Sequence, residues 1–215
     1  MLELLYADVG DLPDTPERYR LSAYRLDRLG STKSPMVRKL GMGAELLLQK
    51  LAVSQIPEAS LPLELFVRDG GRPDWKLDGW YFSLSHSGTV AACVLSDRPV
   101  GVDVQKLSPF SEPLVRRFFC PQELSELQQA QDSSYAFTKL WSLKESYVKA
   151  LGTGLSTPLN SFRISLEPPL LTASGDAVFW HQSVGEYHFA ICIPGAEPDL
   201  RPDRFEKADI KPVQF

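Results

Sequence analysis

The sequence predicts an α+β protein made of two units that meet near residue 100. Each half of the 215-residue chain runs from helix-forming segments into strand-forming ones. The length also suits two units of about 100 residues each as well as it suits one large domain. No residue-level repeat accompanies the pattern, so the residues alone do not establish a duplication.

In chain order, a first helix is expected from Asp14 or Thr15, where a capping residue precedes Pro16, to Gly30. A second begins at Ser34 with Pro35 behind it, and places Val37, Leu40, Ala44, Leu47, Leu48 and Leu51 on one face. Strands are expected at 64–68, 80–85, 90–95 and 99–104, set apart by Gly, Pro, Asp and Ser clusters. A short helix at 121–131 precedes a longer one at 134–151 that Gly152 and Gly154 end. Strands return at 162–166, 177–181 and 187–193, ahead of a Pro-rich, charged C-terminus. The expected domains are 1–98 and 99–215.

Hydrophobic residues at 43% and charged residues at 23% exclude wholesale disorder. A net charge of −4 argues against a nucleic-acid partner. Cys93, Cys120 and Cys192 match neither a zinc spacing nor an even-numbered disulfide framework, so reduced thiols are expected. The N-terminal stretch MLELLYADVGDLPDTPERYR has acids and a proline where a signal peptide needs a basic start, and no run approaches the roughly 18 apolar residues of a membrane span. A cytoplasmic chain without a membrane partner is expected. Locally, Arg18, Arg20, Arg25, Arg28, Lys33, Arg38 and Lys39 face only Glu17 and Asp27, which reads as a solvated face or as an anion site.

Three segments suggest chemistry. In PVGVDVQ (99–105) a strand would bury Val100, Val102 and Val104 while Gly101, Asp103 and Gln105 share the other face. Asp is depleted in strands, and Gly101 lets another element approach the backbone; a solvent-facing strand end is the bland alternative. In WSLKESYVKALGTGL (141–155) helical spacing aligns Phe137, Leu140, Trp141, Val148 and Leu151, with Lys144 in the middle of that apolar stripe. Thr138, Ser142, Glu145 and Lys149 form a polar stripe beside it, and Glu145 with Lys149 could be no more than a surface pair. An ammonium at the centre of an apolar stripe must snorkel or meet an anion, and a phosphate would serve. In FSLSHSG (82–88) a polar turn is expected to present Ser85, His86 and Ser87, and upstream GGRP (70–73) could display Arg72.

GVDVQ, followed some forty residues later by WSLKESYVKALGTGL and preceded by GGRP and FSLSHSG, closely resembles the larger, Sfp-like class of 4′-phosphopantetheinyl transferases. The resemblance runs from about Arg18 to Ile193 and includes RFFCPQELSEL (117–127) and LSTPLNSF (155–162). It implies two similar α/β lobes related by a pseudo-twofold, an active site at their junction and a monomer. It also implies an enzyme that moves the phosphopantetheine arm of coenzyme A onto a serine of an acyl or peptidyl carrier protein, releasing adenosine 3′,5′-bisphosphate with Mg²⁺ as cofactor.

Carried over residue by residue, Asp103 and Glu145 hold the metal with Gln105 as a third ligand, and Glu145 is the candidate base for the serine. Lys149 stabilises the leaving oxygen, Lys144 supports the same phosphates, and Asp103, Glu145 and Lys149 form the catalytic set. Ser85 and His86 meet the 3′-phosphate, Arg72 lies near the nucleotide, and Arg38 and Lys39 contact coenzyme A. Many members carry glutamate where this chain has Gln105, so the expected metal shell has one negative charge fewer. RRFF (116–119) is the candidate carrier-docking patch, with core packing as the alternative for Phe118 and Phe119. A metal-dependent phosphodiesterase or nucleotidase, and a non-catalytic module binding coenzyme A or a carrier, are the other readings of the same residues.

Overall fold

A computed structural model describes residues 1–68, 71–166, 172, 175–195 and 200–210. The N-terminal apolar run, given no element above, is strand β1 (Leu2–Asp8), and both of its faces are buried except at half-buried Tyr6 and exposed Asp8. Such a strand lacks the alternation that marks a half-buried one, so its sequence carries little signal. The helix expected from Asp14 to Gly30 is instead a short 3₁₀ turn (Pro16–Arg18) and α1 (Ala23–Ser31). Ser22 restarts the helix, its Oγ accepting from the Arg25 amide at 3.1 Å. α2 (Pro35–Gln55) is capped by Ser34 and drives Leu40, Leu47, Leu48 and Leu51 into a core with Leu5, Phe82 and Leu95; Val37, in its first turn, stays exposed.

A small hairpin of β2 (Phe66–Val67) and β3 (Pro73–Asp74) follows. Gly70 of GGRP lies outside the described residues. β4 (Tyr81–Ser87) and β5 (Val90–Ser96) form an antiparallel pair, and β5 in turn pairs with β1. Ser85, His86 and Ser87 therefore sit on a strand rather than in a turn. The turn is Gly88 and Thr89, where Gly88 takes φ +58°.

In the second unit, β6 (Gly101–Lys106) is followed by α3 (Glu112–Phe118), α4 (Pro121–Gln129) and α5 (Ser133–Leu151). β7 (Ala177–Val184) and β8 (Tyr187–Pro194) complete an antiparallel sheet of order β6-β8-β7. α5 lays Phe137, Leu140 and Leu143 on Ala190, Cys192 and Phe179 and stops at Gly152, whose φ of +69° suits glycine. The strand expected at 162–166 reduces to one bridge, Ile164 to Thr172. Phe119 is 3% exposed among Phe137 and Trp141, and Phe118 packs edge-on to Trp141 at 5.7 Å, so the RRFF aromatics are mainly core; the exposed part of α3 is Pro113 and Leu114 with Arg116 and Arg117.

The chain then returns as β9 (Arg204–Lys207), parallel to β1, giving the first sheet the order β4-β5-β1-β9. The units are therefore Met1–Arg98 with the chain from Pro202 onward, and Pro99–Arg201, rather than a second domain running to residue 215. Strand pairing across two hundred residues leaves no local mark in a tail rich in proline and charge. Each unit packs one long helix on one sheet, an α+β arrangement. Among the described residues no helix is long and apolar enough to cross a membrane.

Two imidazoles lie on the sheet of the second unit. His181 and His188 stack at 5.0 Å, and His188 Nδ1 is 2.9 Å from Ser183 Oγ. Burial, then the charge of Lys139, lowers the pKa of His181 to about 4. Burial, then the charges of His181 and Lys139, lowers that of His188 to about 3. Because the folded pKa values lie below the unfolded one, stability is complete above about pH 6.5 and declines as pH falls from there toward 4. Between pH 7 and pH 5 the loss is about 1–2 kcal/mol for His188 and smaller for the half-buried His181, whose charge water screens. Urea melts at both pH values check this, and a His188→Gln variant with an unchanged pH slope contradicts it.

Candidate functional site

Gly101 decides how the second unit assembles its polar side chains. A Cβ there would stand 2.0 Å from the Ser146 carbonyl oxygen and 2.4 Å from the Ala150 amide nitrogen, so only glycine lets β6 lie this close to α5. Two residues further along β6, Asp103 shares the face of Gly101, and one residue before Ser146, Glu145 leaves α5. Val100, Val102 and Val104 are fully buried, so the carboxylate sits on a strand covered on both faces.

Asp103 is 5% exposed, and its Oδ1 accepts from Lys149 Nζ at 2.7 Å. Lys149 is one turn beyond Glu145, as the polar stripe of α5 requires. Burial raises the pKa of Glu145, the charge of Asp103 raises it further, and Lys149 lowers it. The two carboxylates thus feel one another, with one ammonium between them in electrostatic terms. Gln105, half-buried, follows on the same face and is paired across the sheet with His188.

The donors suit a hard divalent cation. Two carboxylates in mutual repulsion attract positive charge, and Gln105 adds a neutral oxygen; Mg²⁺ takes few protein oxygens and completes its shell with phosphates and water. Among the described residues no group of three or more His, Cys, Asp or Glu gathers around one point. Asp103, Glu145 and Gln105 are the residues that would hold the ion.

Lys144 requires a correction. Its ammonium does meet an anion, but the anion is the Glu123 carboxylate at 2.9 Å, and both side chains are 0% exposed. The remaining donors go to the carbonyls of Leu159 (2.8 Å) and Phe162 (2.6 Å), so none is left for a phosphate. Helical spacing showed that Lys144 needed a counter-charge. It could not show that an acid 21 positions earlier supplies one.

The other anticipated contacts lie in the first unit. Arg38 Nε donates to both carboxylate oxygens of Asp14 (2.9 and 3.0 Å) and its Nη1 to the Leu29 carbonyl at 2.6 Å. Lys39 Nζ donates to the Gly10 carbonyl at 2.7 Å. Arg25 lies 3.5 Å from the buried carboxylate of Glu45. These three of the seven N-terminal cations are employed in holding α1 and α2, while Arg18, Arg20, Arg28 and Lys33 are exposed. Arg72, on the hairpin, donates to the Phe82 carbonyl at 2.8 Å. Ser85 is buried and His86 exposed; as neighbours on β4 their side chains leave opposite faces, so they do not present one joint surface. Glu123 was missed. Its signal was the capping pattern of CPQE, where the third helical residue reaches back to the cap amide.

Comparison with known proteins bears on the second unit. Residues 99–192 match the family described as the 4′-phosphopantetheinyl transferase superfamily. A 4′-phosphopantetheinyl transferase of Bacillus subtilis is 42% identical over 94 residues, covering 42% of this chain and 42% of that protein. The 4′-phosphopantetheinyl transferase gsp of Aneurinibacillus migulanus is 38% identical over 125 residues, covering 56% and 51%. The chain thus spans two fifths to one half of the length of these curated relatives. A solved holo-[acyl-carrier-protein] synthase of Thermotoga maritima is 19% identical, covers 46% of this chain and 64% of its own, and has a TM-score of 0.40.

Proposed function

We propose that this chain, whose residues 99–192 match the family described as the 4′-phosphopantetheinyl transferase superfamily, transfers the phosphopantetheine arm of coenzyme A to a serine of an acyl or peptidyl carrier protein, as a monomer in the cytoplasm. The observation that carries the reading is the Asp103, Lys149 and Glu145 cluster, which falls inside the matched stretch and unites two acids with one cation.

The reaction forms a bond from the serine Oγ to the phosphorus next to pantetheine and breaks that phosphorus's bond to the bridging oxygen of the diphosphate. Adenosine 3′,5′-bisphosphate leaves. Mg²⁺, held by Asp103, Glu145 and Gln105, would neutralise diphosphate oxygens when bound. Glu145, whose raised pKa makes it a stronger base than an ordinary carboxylate, accepts the serine proton directly or through a water. Lys149, 30% exposed and on a flexible stem, donates to the departing oxygen and supplies the positive charge that develops a need there. Arg38, Lys39 and Lys144 we read as structural.

Incubation with coenzyme A, Mg²⁺ and an apo carrier protein tests the reading. A carrier that gains the mass of one phosphopantetheine arm is the expected result. Nucleotide released without a carrier would instead mark a phosphodiesterase, and binding of both partners without turnover would mark a non-catalytic module. Gln105→Glu adds an anionic ligand, so the Mg²⁺ concentration for half-maximal rate falls roughly three- to tenfold in a Mg²⁺ titration. A requirement that stays equal or rises would remove Gln105 from the metal shell.

A further inference from the structure

Lys144 and Glu123 are fully enclosed, so neither touches a substrate, yet the network they form is complete. Lys144 Nζ donates to Glu123 Oε1 (2.9 Å) and to the carbonyls of Leu159 (2.8 Å) and Phe162 (2.6 Å), and stands 4.3 Å from the Phe162 ring centre. Glu123 Oε1 also accepts from the Ile164 amide at 3.0 Å, and Oε2 from the Cys120 amide at 2.8 Å. One cluster therefore joins the N-terminus of α4, the middle of α5 and the segment 159–164.

Stability alone accounts poorly for such a pair. Removing two ions from water costs several kcal/mol each, and an apolar pair of similar volume often matches an ion pair taken by itself, so what this pair adds is its bonds to the Cys120 and Ile164 amides and the Leu159 and Phe162 carbonyls. What an apolar pair lacks is direction. Three oxygens at hydrogen-bond distance locate an ammonium, whereas Met and Leu tolerate sliding and rotation. Lys144 is the residue before Glu145, about 100° around the helix, and any turn of α5 that moved one would move the other. The opposite constraint, Gly101 against Ser146, permits close approach but supplies no directional bond from a side chain.

We infer that Glu123 and Lys144 are positioning residues: their buried clamp sets the rotation and axial register of α5, and with it the placement of Glu145 and Lys149 against Asp103. The inference rests on the transferase reading for its catalytic readout but not for its metal readout.

The test compares the parent with Glu123→Leu/Lys144→Met in the full chain. The apolar pair leaves the Ile164 amide and the Leu159 and Phe162 carbonyls without these partners, so it is expected to melt below the parent while still folding, and activity is read per folded molecule. Its kcat in the carrier assay falls about tenfold or more with the carrier KM unchanged, and Mn²⁺, titrated by electron paramagnetic resonance without coenzyme A, binds correspondingly more weakly. A folded variant that matches the parent in kcat and Mn²⁺ affinity, whatever its melting temperature, overturns the clamp. Should the double variant not fold, Glu123→Gln decides. Lower kcat and Mn²⁺ affinity per folded molecule support the inference, and a lower melting temperature with both unchanged overturns it. A parent that transfers nothing defeats the transferase reading instead, and the Mn²⁺ comparison then decides the clamp on its own, in the same two directions.

Discussion

Glu145→Gln lowers kcat about 10³-fold in the carrier assay, within the range for loss of a general base, while the protein melts at or above the parent's temperature. Both halves follow from the environment of the carboxylate. Burial and the charge of Asp103 raise its pKa, so the folded state holds this proton more tightly than the unfolded chain. For an acid so shifted, the sign is that stability declines as pH rises through the ordinary carboxylate range, and a neutral isostere at pH 7 relieves that cost. Gln keeps the volume, loses the proton acceptor and removes one of the two anions around which a divalent ion would gather. The pairing of lost turnover with retained or increased stability marks a functional site. A variant with kcat within threefold of the parent, or with a collapsed melting curve, would show that Glu145 works in the fold and not in the chemistry.

Gly101→Ala has the largest effect on structure. The added methyl group would lie 2.0 Å from one backbone atom of α5 and 2.4 Å from another, and neither can swing aside as a side chain could. β6 and α5 must separate, at a cost of at least about 3 kcal/mol, which for a chain of this size is roughly 6–12 °C of melting temperature. Separation also carries Asp103 away from Lys149, now 2.7 Å apart, so activity per folded molecule falls along with stability. Differential scanning calorimetry and the carrier assay read the two losses, and an alanine variant that melts like the parent would mean that the helix does not approach the strand this closely.

The chemistry-bearing pattern of the second unit was readable from residue order alone. GVDVQ had the alternation of a strand with Asp103 and Gln105 on one face, and the spacing of Glu145 and Lys149 put both on one side of a helix, because side-chain direction along a regular element depends only on its period. The same rule marked Lys144 as an ammonium among apolar neighbours. Which charge answers it was beyond the rule. Periodicity says where a side chain points along its own element and nothing of what the fold brings to meet it; Glu123, Leu159 and Phe162 reach Lys144 only once α4 and the segment after α5 have packed. Arg38 and Lys39 show the same division: a cationic helix start was evident, and its use on Asp14 and Gly10 was not. β1 and β9 escaped for a related reason, since a strand buried on both faces has no alternation and a parallel partner two hundred residues away leaves no local trace. Local order thus marked Asp103, Glu145, Lys149 and Gly101 as candidates, while tertiary packing decided which partners the chain's cations meet, because the energy of a charge depends on everything folded around it.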